Sequence, residues 1–279
     1  MRFSTKRKIT DGIMYALMAL GLAGVISALL YILIYVFSQA AGFFNFSLIV
    51  DPERGILPMI VTTLYVVLVS LAIALPIGVC TAIYLNEYAR DSRLSRGLRL
   101  AIDTLAGIPS IIYGLFGLLV FSRVLGFGQS ILSGGLTLSI MVLPVIIRAT
   151  EESLKAIPVS AREGSLALGA TQAQTIFHVV LPSATPGIVA ALIISIGRVI
   201  GESAPVLLTV GLARNLPRSI FESGRTLTIH LYQLTGEAIH EDDFGVAFAT
   251  ALTLILIVII INTATKVITS KFRKNAGGK

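Results

Sequence analysis

The sequence has no tryptophan, a single cysteine and few charged residues, and each shortage narrows the class of protein. Only 13% of the 279 residues are charged, whereas about 25% is usual for a soluble domain. Without tryptophan, an aromatic belt at a membrane surface would depend on tyrosine. Cys80 has no second cysteine to pair with, which excludes a disulfide framework and a cysteine-rich metal cluster.

Apolar sequence is abundant instead: 55% of the residues are hydrophobic and the mean hydropathy is +0.87. Runs of about 20 apolar residues, the length that crosses a bilayer, occur at 13–37, 57–85, 100–121, 131–147, 188–212 and 244–268. We therefore predict an all-α, polytopic membrane protein with six transmembrane helices. The first run follows four basic residues, as a signal peptide would. It is too long for one and lacks a clean cleavage site, so we retain it as a mature helix.

The distribution of Lys and Arg orients these six helices. Of the 22 basic residues, 16 lie in the two tails and in the loops 86–99 and 148–187, five lie on the opposite side, and Arg198 lies within a span. The positive-inside rule then places both termini in the cytoplasm, with tails at 1–12 and 269–279, a transmembrane domain at 13–268 and a cytoplasmic loop at 149–185. Since topology explains the net charge of +7, we expect contact with lipid but not with nucleic acid.

The cytoplasmic loop between the fourth and fifth spans is much longer than its neighbours and predicts short helices. Pro158 interrupts the first piece, and Gly169 ends the second as a C-cap glycine would. The capping positions that we expect are Ser160, Thr171, and Ser183 or Thr185 with Pro186 in the first turn of the fifth span. A short exposed helix beneath a membrane bundle is either a docking element or a solvated connector.

The pattern Glu163-Gly164-Ser165-Leu166-Ala167-Leu168-Gly169, then nine residues, then Val179-Val180-Leu181-Pro182, resembles the "EAA" loop of ABC-importer permeases. Gly164 and Ser165 depart from the two alanines of that loop, and Val179 replaces its isoleucine. The resemblance implies that the loop forms a coupling helix in a groove of a cytoplasmic ATPase subunit. The residues that it assigns to ATPase coupling are Glu163, Gly164, Ser165, Leu166, Ala167, Gly169, Leu181 and Pro182.

Two further segments narrow the resemblance. Residues 107–115, Gly-Ile-Pro-Ser-Ile-Ile-Tyr-Gly-Leu, and 198–205, Arg-Val-Ile-Gly-Glu-Ser-Ala-Pro, are similar to the permeases of the bacterial phosphate-specific transport system, and more to the A-type than to the C-type. This implies a multi-pass protein of the inner membrane that forms half of a phosphate pathway. The implied partners are a second, C-type permease, two ATPase subunits that hold ATP and Mg, and an extracytoplasmic phosphate-binding protein.

The chain itself has no G-x-x-x-x-G-K-[ST] sequence and no solute-binding domain. We therefore expect a non-catalytic subunit that binds no cofactor of its own. Another oxyanion or polar solute would fit the same class of importer. A channel or a transporter driven by an ion gradient is a further alternative, against which the ATPase-docking loop argues. The sequence does not decide between a heterodimer and a homodimer of permeases.

Arg198 and Glu202 are the only charged residues within the fifth apolar run. An ionised group inside the bilayer costs from a few to about 10 kcal/mol or more, so such residues face a partner, a cavity or a transported ion. Four residues apart, they share one face of a helix, and Pro205 predicts a kink. Arginine suits an oxyanion, with Glu202 orienting it. The alternative is an ion pair that only fixes helix packing.

Three hydroxyl groups are further candidates for the pathway: Ser203 follows Glu202 directly, and Ser110 and Tyr113 begin the third span. Ser110 and Tyr113 would fit equally well between packed helices.

The outer loop, 213–243, contains possible metal ligands at His230, His240, Glu241, Asp242 and Asp243. We expect this loop to be a solvated surface that docks a binding protein rather than a metal site.

Overall fold

The computed structural model describes residues 2–44, 46–51, 55–89, 92–237 and 241–276, and over these residues it is helical throughout its regular structure. The helices are α1 (Arg2–Ala40), α2 (Phe46–Val50), α3 (Leu57–Ile83), α4 (Arg93–Gly107), α5 (Ser110–Gly117), α6 (Ile131–Lys155), α7 (Val159–Ala167), α8 (Gln172–Thr175), α9 (Leu181–Gly201), α10 (Ala204–Thr209), α11 (Leu227–Glu237) and α12 (Glu241–Ala276). Wider π-helical turns at Tyr84–Tyr88, Leu118–Val124 and Ile176–Val180 extend α3 and α5 and join α8 to α9.

Five helices of the described chain are long and apolar enough to cross a membrane, and a bent pair makes a sixth span. The prediction of one continuous third helix over 100–121 is wrong, because α4 and α5 meet at an angle of 102°. The break falls at Ile108 and Pro109, which both have extended backbone. Proline has no N–H to donate and disfavours helical geometry in the residue before it, which explains the location.

The fifth span begins earlier than predicted. The helix is continuous from Gln172 to Gly201, so the expected start near Pro186 is wrong. Ser183 and Thr185 do not cap it; their hydroxyls donate to carbonyls one turn back, at Val179 and Leu181. The π-helical turn comes directly before Leu181 and Pro182, and this local widening accommodates a residue that lacks an N–H.

Of the four expected caps in the loop between α6 and α9, two agree with the structure and the remaining one, besides that at Ser183 or Thr185, does not. Thr171 caps α8 and forms a capping box with Gln174, as predicted for the Thr171 position. Gly169 has φ +88°, the left-handed conformation that ends a helix. The expected cap at Ser160 is wrong, since α7 begins at Val159 after Pro158 and has no side-chain cap.

The core of the bundle lies between α3, α6 and α9. Its largest cluster of buried side chains includes Val66, Leu71, Leu138, Met141, Val142, Ile146, Ile196, Val199 and Ile200. Small residues permit this close packing, as is common between membrane helices. By contrast, α1 is exposed over nearly all of its described length and meets α12 near its end, where the rings of Tyr35 and Phe248 lie 5.5 Å apart.

Gly78 lies at a close approach of α3 to α6. A Cβ atom at this position would lie 2.6 Å from Cγ2 of Ile146, a fully buried side chain. We expect Gly78→Leu to destabilise the protein by about 1–3 kcal/mol through overpacking. Thermal unfolding in detergent measures the change. Gly97→Leu is the matched control, because a Cβ at Gly97 meets nothing within 4 Å; equal stability of the two variants would contradict this packing.

Candidate translocation site

Arg198 and Glu202 flank the end of a helix rather than sharing the face of a continuous one. Arg198 lies in the last turn of α9, which ends at Gly201, and Glu202 has extended backbone with ψ 132°. A cation in the last turn of a helix is favoured by the partial negative charge of the free carbonyls there. The side chains still meet, since Arg198 Nε lies 3.9 Å from Glu202 Oε1.

This contact is too long for a hydrogen bond and leaves the guanidinium accessible. The side chain of Arg198 is 36% exposed and that of Glu202 is 17% exposed. A tight pair of arginine and carboxylate has N–O distances of about 2.7–2.9 Å, often twice over. Among the described residues, no hydrogen bond is formed by the guanidinium of Arg198. The group is therefore oriented by Glu202 but retains donors for another acceptor.

Pro205 breaks the fifth span instead of kinking it. After Gly201 the chain continues through Glu202 and Ser203 to α10, and Pro205 lies in the first turn of that helix. Proline suits this position because its missing N–H would have no partner there. Ser203 precedes α10 without capping it through its side chain.

A hydroxyl group closes the open end of α9. Thr228, in the first turn of α11, donates from Oγ1 to the carbonyl oxygen of Ile200 at 2.6 Å. Ile200 lies between Arg198 and Glu202, and its carbonyl would lose its partner where the helix ends. Since an unpaired carbonyl is costly in an apolar bundle, Thr228 stabilises the geometry of the site.

The third span has a matching arrangement. Tyr113 in α5 is buried, and its hydroxyl donates to the carbonyl oxygen of Leu105, near the end of α4, at 2.6 Å. The hydroxyl therefore spans the bend between the two halves of the span. Ser110 is half-buried at the first position of α5. Within the described chain, neither Ser110 nor Ser203 forms a side-chain hydrogen bond to the charged pair.

The structure brings these two breaks together. α5 packs against α10, and a Cβ at Gly114 would lie only 2.8 Å from Cα of Pro205. Tyr113 is close enough to Arg198 for an electrostatic interaction. The sequence motifs at 107–115 and 198–205, far apart in the chain, thus form one polar region that contains an arginine and interrupted backbone.

The residues assigned to ATPase coupling divide into two groups. Glu163, Gly164, Leu166, Ala167 and Gly169 are exposed along α7 and its end, as a docking helix requires. Ser165 faces inward and its hydroxyl pairs with that of Thr175 at 2.9 Å. Leu181 and Pro182 lie at the start of α9, where Leu181 is half-buried and Pro182 is exposed.

Arg162 and Glu87 form a junction that the sequence did not reveal. Arg162 in α7 donates to the carbonyls of Leu154 and Ile157 at 2.8 Å each and lies 3.0 Å from Glu87 Oε1. Their side chains are only 19% and 9% exposed. One guanidinium therefore joins α7 to the ends of α3 and α6. Charge spacing offered no signal, since the two residues are 75 positions apart.

Ion pairs also join α4 to α6 on the same side. Arg99 pairs with Glu151, which Lys155 approaches to 3.5 Å, and Arg148 pairs with Asp103. Arg99 also donates to the carbonyl of Leu85 at 3.0 Å. The inner ends of α3, α4, α6 and α7 are thus held together by charged groups.

Among the residues that the structure describes, the candidate metal ligands of the outer loop form no cluster that could hold a metal ion. His230 is buried in α11 rather than solvated. His240 and the side chains of Glu241, Asp242 and Asp243 lie outside the described residues. The expectation of a solvated surface is therefore wrong at His230, and also at Arg225, which is 8% exposed.

The sequence of the chain matches a known protein family over most of its length. The sequence profile described as "Binding-protein-dependent transport system inner membrane component" matches residues 74–274. The chain belongs to this family. The matched region contains α7, both broken spans and the pair of Arg198 and Glu202.

Proteins of similar sequence align with most of the length of this permease. It is 29% identical over 279 residues to the probable ABC transporter permease protein YqgI of Bacillus subtilis. That alignment covers 93% of this chain and 95% of YqgI. The permease is 40% identical over 201 residues to the phosphate transport system permease protein PstA 1 of Mycobacterium tuberculosis, covering 72% of this chain and 66% of that protein. The PstA protein of Mycobacterium leprae is 38% identical over 218 residues, covering 76% and 71%.

Solved structures support the same fold. The alginate ABC transporter, crystallised with a pentasaccharide-bound periplasmic protein, has a chain with TM-score 0.72 and 15% identity, covering 95% of this permease and 96% of that chain. A chain of the MetNI methionine ABC transporter has TM-score 0.58 and 22% identity, covering 80% and 94%. The permease therefore has the type I ABC-importer fold.

The bond between Tyr113 and Leu105 gives a test of the two interpretations of this tyrosine. If the hydroxyl only satisfies the carbonyl, Tyr113→Phe should destabilise the protein by about 1–3 kcal/mol and leave uptake intact once folded. Thermal unfolding and transport are measured on the same preparation. Tyr65→Phe, on the exposed side of α3, is the control. Loss of transport without loss of stability would instead place the hydroxyl in the pathway.

Proposed function

We propose that this permease forms half of the pathway of an ATP-driven importer that carries inorganic phosphate across the cytoplasmic membrane. The observation that carries the proposal is the accessible guanidinium of Arg198 at the junction of two broken spans. Arginine remains charged at all relevant pH values and offers planar donors that match phosphate oxygens. The similarity to PstA proteins of two mycobacteria supports phosphate over other oxyanions.

The loose contact with Glu202 suits transit rather than storage. A carboxylate near the guanidinium offsets part of its charge and keeps it in place. Conduction requires an ion site that is favourable enough to enter and weak enough to leave. In this proposal Arg198 is the transient anion contact, Glu202 orients it, and Ser203, Ser110 and Tyr113 border the path.

The energy source in this proposal lies outside the chain. Two cytoplasmic ATPase subunits, which hold ATP and Mg, bind the exposed surface of α7, and a second, C-type permease completes the pathway. A phosphate-binding protein delivers the anion from the extracytoplasmic side. Both termini are cytoplasmic in this arrangement, as the excess of Lys and Arg on one side favours. Closure of the ATPases would move α7 and alternate the access to Arg198.

The pathway role of Arg198 is separated from a packing role by a double replacement. We expect Arg198→Ala to abolish phosphate uptake in an assembled complex, because the anion loses its cationic contact. A charged pair that only fixes packing can be replaced by apolar residues at little cost. Restored uptake in the double variant Arg198→Met, Glu202→Leu would therefore overturn the pathway role. Uptake of a different oxyanion by the wild-type complex, with none of phosphate, would overturn the choice of cargo.

Arg162 provides a test of coupling. Its removal takes the cationic partner from Glu87, which then keeps only the amide of Asn86, and one donor from each of the Leu154 and Ile157 carbonyls. Truncation of one partner of a buried pair costs about 3–5 kcal/mol. We expect Arg162→Ala to loosen α7 and lower the phosphate carried per ATP hydrolysed. Uptake and ATP hydrolysis are measured together in vesicles. Lys155→Ala is the control, since the Lys155 side chain is exposed and Glu151 keeps Arg99 as a partner without it; equal coupling ratios in the two variants would contradict the role of Arg162.

A further inference from the structure

A second polar cavity, of about 750 Å³, lies on the side of the bundle opposite the coupling helix. It is lined by the start of α3, the end of α2 and the segment before α11. Among its lining residues are two exposed arginines, Arg214 and Arg218, and one buried histidine, His230. The arginines lie at the mouth of the cavity, and the histidine lies at its inner wall.

His230 is the unusual group of this cavity. Its side chain is only 5% exposed, yet neither Nδ1 nor Nε2 has a hydrogen-bond partner among the residues that the structure describes. A buried polar atom without a partner costs about 1–3 kcal/mol, so such an arrangement needs an explanation. A ligand or water in the cavity that the ring lines would supply the missing bonds.

Burial, assisted by the charge of the surroundings, favours the neutral form of His230. Burial, with the nearby guanidinium groups of Arg225 and Arg214, lowers the pKa of His230 to about 4. A neutral imidazole has one N–H donor and one nitrogen acceptor. It can therefore donate to an anionic oxygen and accept from a protonated one.

The cavity also contains carboxylates, which limit how strongly it attracts an anion. Asp51 and Glu222 line it together with the arginines. Glu222 is engaged locally, since its Oε2 accepts from the backbone N–H of Arg218 at 2.9 Å. Mixed charge of this kind favours weak, reversible binding over tight retention.

The cavity is connected to the translocation site through α11. Thr228, two residues before His230, holds the carbonyl of Ile200 at the end of α9. Residues two apart on a helix point in nearly opposite directions. The first turn of α11 therefore lies between the cavity on one side and the end of α9, which carries Arg198, on the other.

We propose that this cavity is an anion antechamber, in which Arg214, Arg218 and His230 bind a protonated tetrahedral oxyanion before it reaches Arg198. The arginines supply charge for any oxyanion. His230 adds selectivity, because hydrogen phosphate has both anionic oxygens and an O–H group, whereas sulfate at neutral pH has acceptors only. The proposal rests on the function proposed above, and it adds a second site to the pathway.

The test uses the complete transporter in lipid nanodiscs, without its binding protein, and measures equilibrium binding of radiolabelled phosphate. Arg198→Ala is the background, so that the remaining phosphate binding reports the antechamber. We expect this binding to weaken about tenfold or more when Arg214→Gln and Arg218→Gln are added, since each removes a charge-assisted contact. Arg123→Gln, at an exposed arginine outside the cavity, is the matched control and should leave binding unchanged.

His230 is tested for selectivity with two variants. His230→Phe should weaken phosphate binding and leave sulfate binding nearly unchanged, whereas His230→Gln, which keeps a donor and an acceptor, should preserve most of the preference. Thermal unfolding identifies a variant that fails to fold, and the arginine variants decide the proposal in that case. Equal loss of phosphate and sulfate binding in His230→Phe would overturn the selective role.

Two further outcomes separate this inference from its alternatives. If phosphate binding in the Arg198→Ala background is unchanged by the arginine variants, the antechamber is overturned. A raised half-saturating concentration of the binding protein, measured in uptake with the same arginine variants and Arg198 intact, would then assign Arg214 and Arg218 to docking. If the wild-type complex takes up no phosphate with its binding protein, the proposed function itself is wrong.

Discussion

Unpaired backbone carbonyls are the constraint on which this structure depends. Two of its spans are interrupted within apolar sequence, where water is not available to accept or donate hydrogen bonds. The carbonyl of Leu105 is satisfied by the hydroxyl of Tyr113, and that of Ile200 by the hydroxyl of Thr228, each at 2.6 Å. Each donor comes from beyond the break. The bond therefore also fixes the direction in which the chain continues, and interrupted helices become rigid rather than frayed.

Rigid breaks make it possible to hold a charge inside the bundle. Arg198 lies at the end of α9, where helix carbonyls point toward it, and Glu202 lies just beyond, in extended backbone. Had the helix continued, the two side chains would have been free to pair fully on one face. The break instead leaves them 3.9 Å apart. Close packing of Gly114 on Pro205 adds the second broken span to the same region. The polar site is thus a product of backbone geometry as much as of charge.

The sequence predicts the spans well because apolar length is a direct requirement of the bilayer, and it predicts the breaks poorly. Pro109 and Pro205 each signal a disturbance, but a proline is compatible with a kink, a first turn or a full interruption. Which of these occurs depends on partners such as Tyr113 and Thr228, which become neighbours only in the folded bundle. The same limit applies to Arg162, which the sequence counts only as one more cytoplasmic charge. Its bonds to Glu87 and two carbonyls are contacts between segments that no local pattern joins.

The two ends of the bundle differ in a way that suits directional transport. At the end of the bundle where α7 lies, three arginines have carboxylate partners: Arg99, Arg148 and Arg162. On the opposite side, Arg214 and Arg218 line an open cavity, and the imidazole of His230 keeps both nitrogens unbonded within the described structure. Arginines that are paired with carboxylates stabilise the contacts between helices. Arginines that line an open cavity can bind a solvated anion and release it again. Between them lies Arg198, held at long range by a single carboxylate. In the proposed pathway, Arg198 therefore lies between arginines that line an open cavity and arginines that carboxylates hold in place.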